Sequence, residues 1–398
     1  MGEEGDMRVY LLMLVIAAAC TYLLVPLTIY ISRRFGALTP IRTRDVHDTP
    51  IPRLGGVAMY IGILCAYVCA MHIPYLSRVL APGSAAWGVL WGSGVMCLVG
   101  LIDDIAQLVW YAKLAGEILA AGVMAWQGVT FETIPFMGLT VGSSRMNLFV
   151  TVFVVLIVVN AVNFIDGLDG LAAGVIGIAS GTFFLYAYWL TRNATPGDYS
   201  SLACATTAPL IGACIGFLPY NFYKAKSFMG DSGSLMLGAV IAGACIEVTG
   251  QIDPANTHIG YALPAWMPLL APFVILLIPL GDLIFAVVRR LIKGSSPFVA
   301  DGMHVHHRLI YMGYSHRGSV IVLYMWAAIF SFSWISLAVF SAKTVAPFAL
   351  LAMVIGGLIT YVVMKVSKYY DKAQKRANFR IQARRRLEQH KELAVHDD

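Results

Sequence analysis

Long apolar runs separated by short polar connections set the pattern of this chain. Eleven such runs can be traced, at residues 8–31, 54–73, 86–104, 111–127, 147–163, 171–190, 201–219, 230–250, 264–289, 318–341 and 345–365. A helix needs about 20 mostly apolar residues to cross a bilayer, so each run is a candidate span. The fourth is the weakest, because Glu117 interrupts it. The ninth is too long. A straight helix over 264–289 would measure about 39 Å at 1.5 Å per residue, against a hydrocarbon core of about 30 Å. That run contains Pro272, Pro279 and Gly281, which predicts a kinked or fragmented helix, and broken backbone at membrane depth usually lines a site. The stretch GVTFETIPFMGLTVGSS, residues 128–144, has two short alternating runs around a glycine and predicts a small hairpin on the outer side.

Composition agrees. Of the 398 residues, 59% are hydrophobic and only 13% are charged, against about 25% charged in soluble domains. The predicted fold is an all-α polytopic integral membrane protein. Residues 1–366 would form the membrane domain and residues 367–398 a basic tail, drawn to anionic headgroups. The seven cysteines all fall in apolar runs without a C-x-x-C pair; they read as small hydrophobes rather than disulfides or zinc ligands.

Charge placement orients the spans. With the N-terminus outside and the C-terminus inside, the inner segments hold 23 of the 28 Lys and Arg residues, leaving Arg8, Arg78, Arg145, Arg192 and Lys343 outside. Removing the fourth span would reverse every later connection and spoil this asymmetry, so the positive-inside rule supports eleven spans.

The conspicuous polar groups then gather on the inner face. Asp103 and Asp104 end the third run in LIDD, and Lys113 opens the fourth. NAVNFIDGLDG, with Asn160, Asn163, Asp166 and Asp169, closes the fifth. An Asp at the centre of a spanning helix costs about 2.5–3.5 kcal/mol on insertion scales, so acids at such a place need a reason. Asp231 sits in FMGDSGS, Arg53 in PIPRLGG, and Arg289, Arg290, Asp301, His304, His306 and His307 follow the ninth run. Taken singly, each has a plain structural reading: a solvated helix end, an interhelical hydrogen bond, a turn, or a topology signal. His47 and His316 read as loop surface and Glu117 as a polar contact inside the bundle. Together, on one face, they suggest phosphate chemistry. Carboxylates and an Asn amide are hard oxygen donors suited to Mg²⁺, and Arg and Lys clamp phosphate oxygens. Three histidines would suit Zn²⁺ or Ni²⁺ better. No Walker A loop or kinase motif set is present, so the phosphate donor need not be ATP. A site at the membrane surface suggests one soluble phosphorylated substrate and one lipid.

PIPRLGG, LIDD followed by Lys113, NAVNFIDGLDGLA, FMGDSGSL and SPFVADGMHVHHRL occur in an order that resembles the polyprenyl-phosphate N-acetylhexosamine-1-phosphate transferases. The resemblance covers about residues 8–365. It implies a helical membrane bundle with a fragmented ninth helix, and the reaction of UDP-GlcNAc with undecaprenyl or decaprenyl phosphate to give polyprenyl-diphosphate-GlcNAc and UMP. It implies Mg²⁺, with Mn²⁺ as a substitute, a bacterial inner membrane with the site facing the cytoplasm, and a first membrane step of an envelope polysaccharide. No nucleic-acid partner is implied, and a homodimer is left open. Asp231 is the implied metal ligand, with Asp104 or Asn163 beside it. Asp103 is the implied base, although base and metal roles can be exchanged within the Asp103/Asp104 pair. Lys113 would contact lipid phosphate or diphosphate. Asn163, Asp166 and Asp169 would line the uridine and metal side. Arg289, Arg290, Asp301, His304, His306 and His307 would hold the diphosphate and GlcNAc, with Arg53 and Asn160 as further substrate contacts.

The pattern His304, Val305, His306, His307, Arg308, Leu309 departs from the three consecutive histidines of the peptidoglycan branch, which moves phospho-MurNAc-pentapeptide. Ile105, Ala106 and Gln107 offer no third acid after the aspartate pair. One-step and covalent Asp–phosphoryl routes both stay open. A metal-ion or proton-coupled transporter and a noncatalytic scaffold are the readings from other classes. A transporter would place its ionisable groups near the midplane, often in inverted repeats, and the sequence has no such repeat.

Overall fold

The computed structural model describes residues 3–38, 50–77, 79–131, 134–136, 139–141, 143–194, 201–250, 270–271, 273–292, 294 and 305–396; for 3–6, 134–136, 139–141, 194, 250, 306–307 and 371–396 it describes the backbone alone. Arg42, Arg44, His47, Asp301 and His304, and the side chains of His306 and His307, lie outside the described residues.

Apolar sequence becomes helix here because a backbone in lipid must satisfy its own hydrogen bonds. The helices are α1 (Glu3–Phe35), α2 (Gly55–Ala70), α3 (Ala85–Ala106), α4 (Trp110–Trp126), α5 (Ser144–Ile165), α6 (Leu171–Ala194), α7 (Leu202–Asn221), α8 (Gly230–Gly250), α9 (Leu277–Ile292), α10 (Val305–Tyr311), α11 (His316–Val339) and α12 (Ala342–His396), with one 3-10 turn at Pro74–Leu76. Between α4 and α5, β1 (Ile134–Phe136) pairs antiparallel with β2 (Leu139–Val141), Ile134 opposite Val141.

Among the described residues, eight helices are long and apolar enough to cross a membrane, where the sequence reading counts eleven spans. The difference lies in three places. Helices α2 and α4 have 16 and 17 residues, or about 24 and 26 Å, short of the about 30 Å core. The ninth run is divided: helical residues at 270–271 and 273–275 stop at a turn at Leu276, and α9 begins at Leu277. The last predicted span and the basic tail are one helix, α12, of 55 residues.

Helix α8 is the hub. It contacts α3, α5, α7, α2 and α6, and 89% of its most apolar window is buried. The same figure is 6% for α12, which leans on α11 at the edge. The core is built from small residues that let helices approach closely, among them Ala58, Ala66, Ala161, Ala203, Ala213, Ala239 and Ala244. At Gly100 this closeness is absolute. A Cβ there would overlap the backbone of Asp231 and Ser232, so α8 could not start against α3.

Gly100→Ala is therefore expected to cost about 1–3 kcal/mol of stability, the range for overpacking, seen as a lower unfolding temperature in detergent. Gly357→Ala is the control, because a Cβ there meets nothing within 4 Å; it should leave that temperature unchanged.

Candidate active site at one end of the bundle

The end of α3, the starts of α4 and α8 and the end of α5 meet at one end of the bundle. The segment before α8 is held there by backbone bonds. Gly55 N–H donates to the Phe228 carbonyl at 3.0 Å, Gly56 N–H to Met229 at 2.9 Å, and Phe228 N–H to Pro52 at 2.8 Å. Gly230 then turns the chain at φ +68°, a conformation natural to glycine. Its Cβ position is closed as well, by the Asp104 carboxylate and the Arg53 carbonyl.

A helix start leaves backbone N–H groups without partners. For α8, Asp104 supplies them: Asp231 N–H donates to Oδ1 at 3.0 Å and Ser232 N–H to Oδ2 at 3.1 Å. Asp104 is buried, and both of its oxygens are used in fixing where Asp231 stands. Its neighbour Asp103 faces elsewhere. Asp103 Oδ1 accepts from Leu108 N–H at 2.7 Å, which folds the α3–α4 turn onto it, and Oδ2 accepts from the Lys113 ammonium at 3.0 Å. Lys113 also donates to Asp231 Oδ2. One ammonium thus joins two carboxylates from different helices. Gln107, at φ 52°, closes α3.

Other predicted residues sort by their bonds. Asn163 donates through Nδ2 to Ser234 Oγ at 2.9 Å, and its amide oxygen accepts no hydrogen bond among the described residues. Asn160 donates to Glu117 Oε2 at 2.7 Å and to the Leu156 carbonyl, so its amide nitrogen serves a buried polar contact between α4 and α5. Asp169 is a structural tie. Its Oδ2 accepts from Ala225 N–H at 3.0 Å, and its own N–H donates to His316 Nε2 at 3.1 Å. His316 is not loop surface, as the sequence suggested: it opens α11, its side chain is only 10% exposed, and its ring lies 5.2 Å from that of Tyr223. Asp166 is half-buried, and no hydrogen bond holds its carboxyl among the described residues. Burial, then the charges of Asp231 and Asp104, push its pKa up to about 8. Arg53 counters this from α2's approach. Arg290 is buried, with its guanidinium 5.5 Å from the centre of the Phe164 ring, next to Asn163 in sequence. Arg289 lies beside it on α9.

Sequence reasoning missed several supports. Asn221 accepts from Gly170 N–H at 3.0 Å and donates to the Ser227 carbonyl at 2.9 Å, and the Tyr324 hydroxyl donates to the Gly170 carbonyl. Asn221 ends an apolar helix, which was a usable signal. Tyr324 lies inside one and carried none.

The site is strongly acidic. Asp103, Asp104, Asp166 and Asp231 stand against Lys113 and Arg53. Among the described residues no three His, Cys, Asp or Glu side chains already form a metal cluster. A hard cation that keeps its waters and takes one or two carboxylates plus substrate phosphate needs no such cluster. Asp231 and the Asn163 amide oxygen are the donors that fit it, whereas both oxygens of Asp104, a further metal candidate from the sequence, already accept backbone amides.

Comparison with known proteins bears on the family of the chain. The profile of glycosyl transferase family 4 matches residues 86–249. A decaprenyl-phosphate N-acetylglucosaminephosphotransferase of Mycobacterium leprae is 36% identical over 354 residues, 87% of this chain and 88% of the relative. A probable undecaprenyl-phosphate N-acetylglucosaminyl 1-phosphate transferase of Bacillus subtilis is 29% identical over 91% of this chain and 96% of the relative. A phospho-N-acetylmuramoyl-pentapeptide-transferase of Corynebacterium jeikeium is 29% identical over 73% and 85%.

The different bonds of the two adjacent aspartates give a testable contrast. Asp104→Asn replaces an acceptor by a donor that faces a backbone N–H, and should cost about 1–3 kcal/mol, read as a lower unfolding temperature. Asp103→Asn keeps an acceptor for Leu108 and should lower it less; equal losses would contradict the separate roles. Identity of 36% over most of the chain, together with the profile match, means that the chain belongs to glycosyl transferase family 4, as a multi-pass membrane transferase.

Proposed function

We propose that the chain transfers GlcNAc-1-phosphate from UDP-GlcNAc to polyprenyl phosphate, giving polyprenyl-diphosphate-GlcNAc and UMP. The observation that carries this reading is the Lys113 ammonium shared by Asp103 and Asp231, with Asn163 bonded to Ser234 on the helix that Asp231 opens and Asp166 close enough to feel the charge of Asp231. That is a place for phosphate oxygens and a hard cation. The names of the relatives point the same way: those named for N-acetylglucosamine phosphotransfer reach 36% identity over 87% of this chain, whereas pentapeptide transferases reach 29% over 73% and 32% over 53%.

In this reaction a lipid phosphate oxygen attacks the sugar-bearing phosphorus. One P–O bond forms, the bond to the UMP oxygen breaks, and UMP leaves. One phosphoanhydride replaces another, so the step is close to isoenergetic, and catalysis rests on position and charge. Asp103 takes the proton of the lipid phosphate. Lys113 neutralises phosphate oxygens. Asp231 and Asn163 would hold Mg²⁺, with Asp104 setting the position of Asp231. Bound there, Mg²⁺ would neutralise diphosphate charge. Asp166 lines the nucleotide side, and Arg289, Arg290, His306 and His307 hold the donor's diphosphate and sugar. The site end faces the cytoplasm of a bacterial inner membrane. Support for this comes from the cationic residues at that end: Arg33 and Arg34 close α1, and Leu38, just after it, bridges to Pro52, next to Arg53.

The test is UMP release by purified protein given polyprenyl phosphate, Mg²⁺ and either UDP-GlcNAc or UDP-MurNAc-pentapeptide. UMP should form with UDP-GlcNAc only, stop on chelation and return with Mg²⁺. Asp231→Asn and Asp103→Asn should each lose on the order of 10²-fold or more, as when a residue facing developing charge is removed. UMP from the pentapeptide donor alone would move the activity to the other branch. Uptake of metal into vesicles without any UMP would favour a transporter.

A further inference from the structure

Helix α9 carries an acid that the proposed reaction does not use. Asp282 lies between Leu280 and Leu283 in a mostly apolar helix and is only 3% exposed. A carboxylate so placed is costly unless hydrogen bonds satisfy it. Asp282 Oδ1 accepts from the Val305 backbone N–H at 2.9 Å, although the two residues are 23 apart in sequence. Val305 is the first residue of α10, and His306, His307 and Arg308 follow it directly.

The geometry is that of a chain brought back into the bundle. Asp282 precedes Arg290 on α9 by about two turns, roughly 12 Å along the axis at 1.5 Å per residue. Arg290 lies against Phe164, at the active end of α5. So α10 starts beside a deeper level of α9 than its arginines occupy. A backbone N–H at such a level needs a partner, because little water is there to supply one. Asp282 is that partner. The bond gives the returning amide its acceptor and the buried acid one of its donors, and it fixes the depth at which the histidine segment starts.

We infer that Asp282 is a positioning residue for donor recognition: by holding Val305 it sets the place from which His306, His307 and Arg308 meet the phosphorylated sugar of the soluble substrate. This rests on the transferase reading above for the identity of the donor, but the anchoring itself does not. Asp282 touches no substrate in this scheme. Its loss should therefore weaken donor binding and leave the lipid acceptor alone.

Two measurements test it on the full-length purified protein with Mg²⁺. In UMP release, Asp282→Ala should raise KM for UDP-GlcNAc about tenfold, in keeping with loss of a hydrogen bond to a charged group, with KM for polyprenyl phosphate within about twofold. Asp282→Asn keeps an acceptor oxygen and should recover donor KM to within about threefold. An unchanged donor KM in Asp282→Ala, or equal rises for donor and lipid, would overturn the assignment. The second measurement needs no activity. Hydrogen–deuterium exchange of peptides covering Val305–Tyr311 should be slow in the wild type, fast in Asp282→Ala and slow again in Asp282→Asn. Fast exchange in the wild type, or none of this contrast, would remove the anchor itself. If Asp282→Ala does not fold, Asp282→Ser, whose shorter side chain withdraws the acceptor, takes its place in both measurements. Slow, Asp282-dependent exchange in a protein that releases no UMP would keep the anchor and reject the transferase reading.

Discussion

The carboxylate of Asp104 is the contact on which the rest of the site depends. It accepts the first amides of α8, at Asp231 and Ser232, and α8 is the most buried helix of the bundle. A helix that starts inside protein brings orphan N–H groups and the positive end of its dipole. An acid from a neighbouring helix answers both. The price of this solution is space, and Gly100 and Gly230 provide it, since a side chain at either would strike the Asp231 backbone or the Asp104 carboxylate itself. Sequence, packing and chemistry meet here: two glycines permit the approach, one aspartate fixes it, and Asp231 is delivered opposite Asp103.

The same economy leaves an electrostatic imbalance. Asp104 is consumed in holding α8 and Asp169 in holding Ala225. Asp103 and Asp231 share one ammonium, and Asp166 is pushed up to about 8 by burial and by its acidic neighbours. Acids gathered this closely favour whatever positive charge arrives. A divalent cation, if bound there as proposed, would relieve the repulsion and offer coordination positions to phosphate oxygens. The site is thus better matched to a cation and a phosphorylated substrate together than to either alone. This is the physical sense in which its structure leans towards phosphoryl transfer.

Much of this was legible in sequence, for identifiable reasons. Apolar runs report helices because lipid allows the backbone few alternatives, and acids in such runs stand out because they are expensive there. Asp103, Lys113, Asn163, Asp166 and Asp231 were therefore visible. Their division of labour was not. Asp103 and Asp104 are adjacent and identical in type, and only the fold shows that one faces Lys113 while the other faces backbone amides. Helix length was overestimated for α2, where the run 54–73 continues past the helix end at Ala70, whereas the run 111–127 matches the 17 residues of α4. His316 was misread because nothing local shows that Asp169 and Tyr223 will surround it. Asp282 was within view, in GDLIF, but a single acid in a long run does not name its partner.

The division of the ninth run gains its meaning from that partner. The run breaks at Leu276, and α9 starts at Leu277, packed against α5 and α11. Arg290 then reaches Phe164 at the end of α5, while Asp282, deeper in the same helix, receives Val305. One rigid element thereby relates the donors on α5 to the segment that bears the histidines. The rest of the site is held by bonds between α3, α4 and α8, with Asn163 of α5 joined to Ser234 of α8. A shift of α9 would therefore move arginines and histidines together relative to the acids. That coupling gives a physical reason for a buried aspartate to persist where a leucine would pack at less cost.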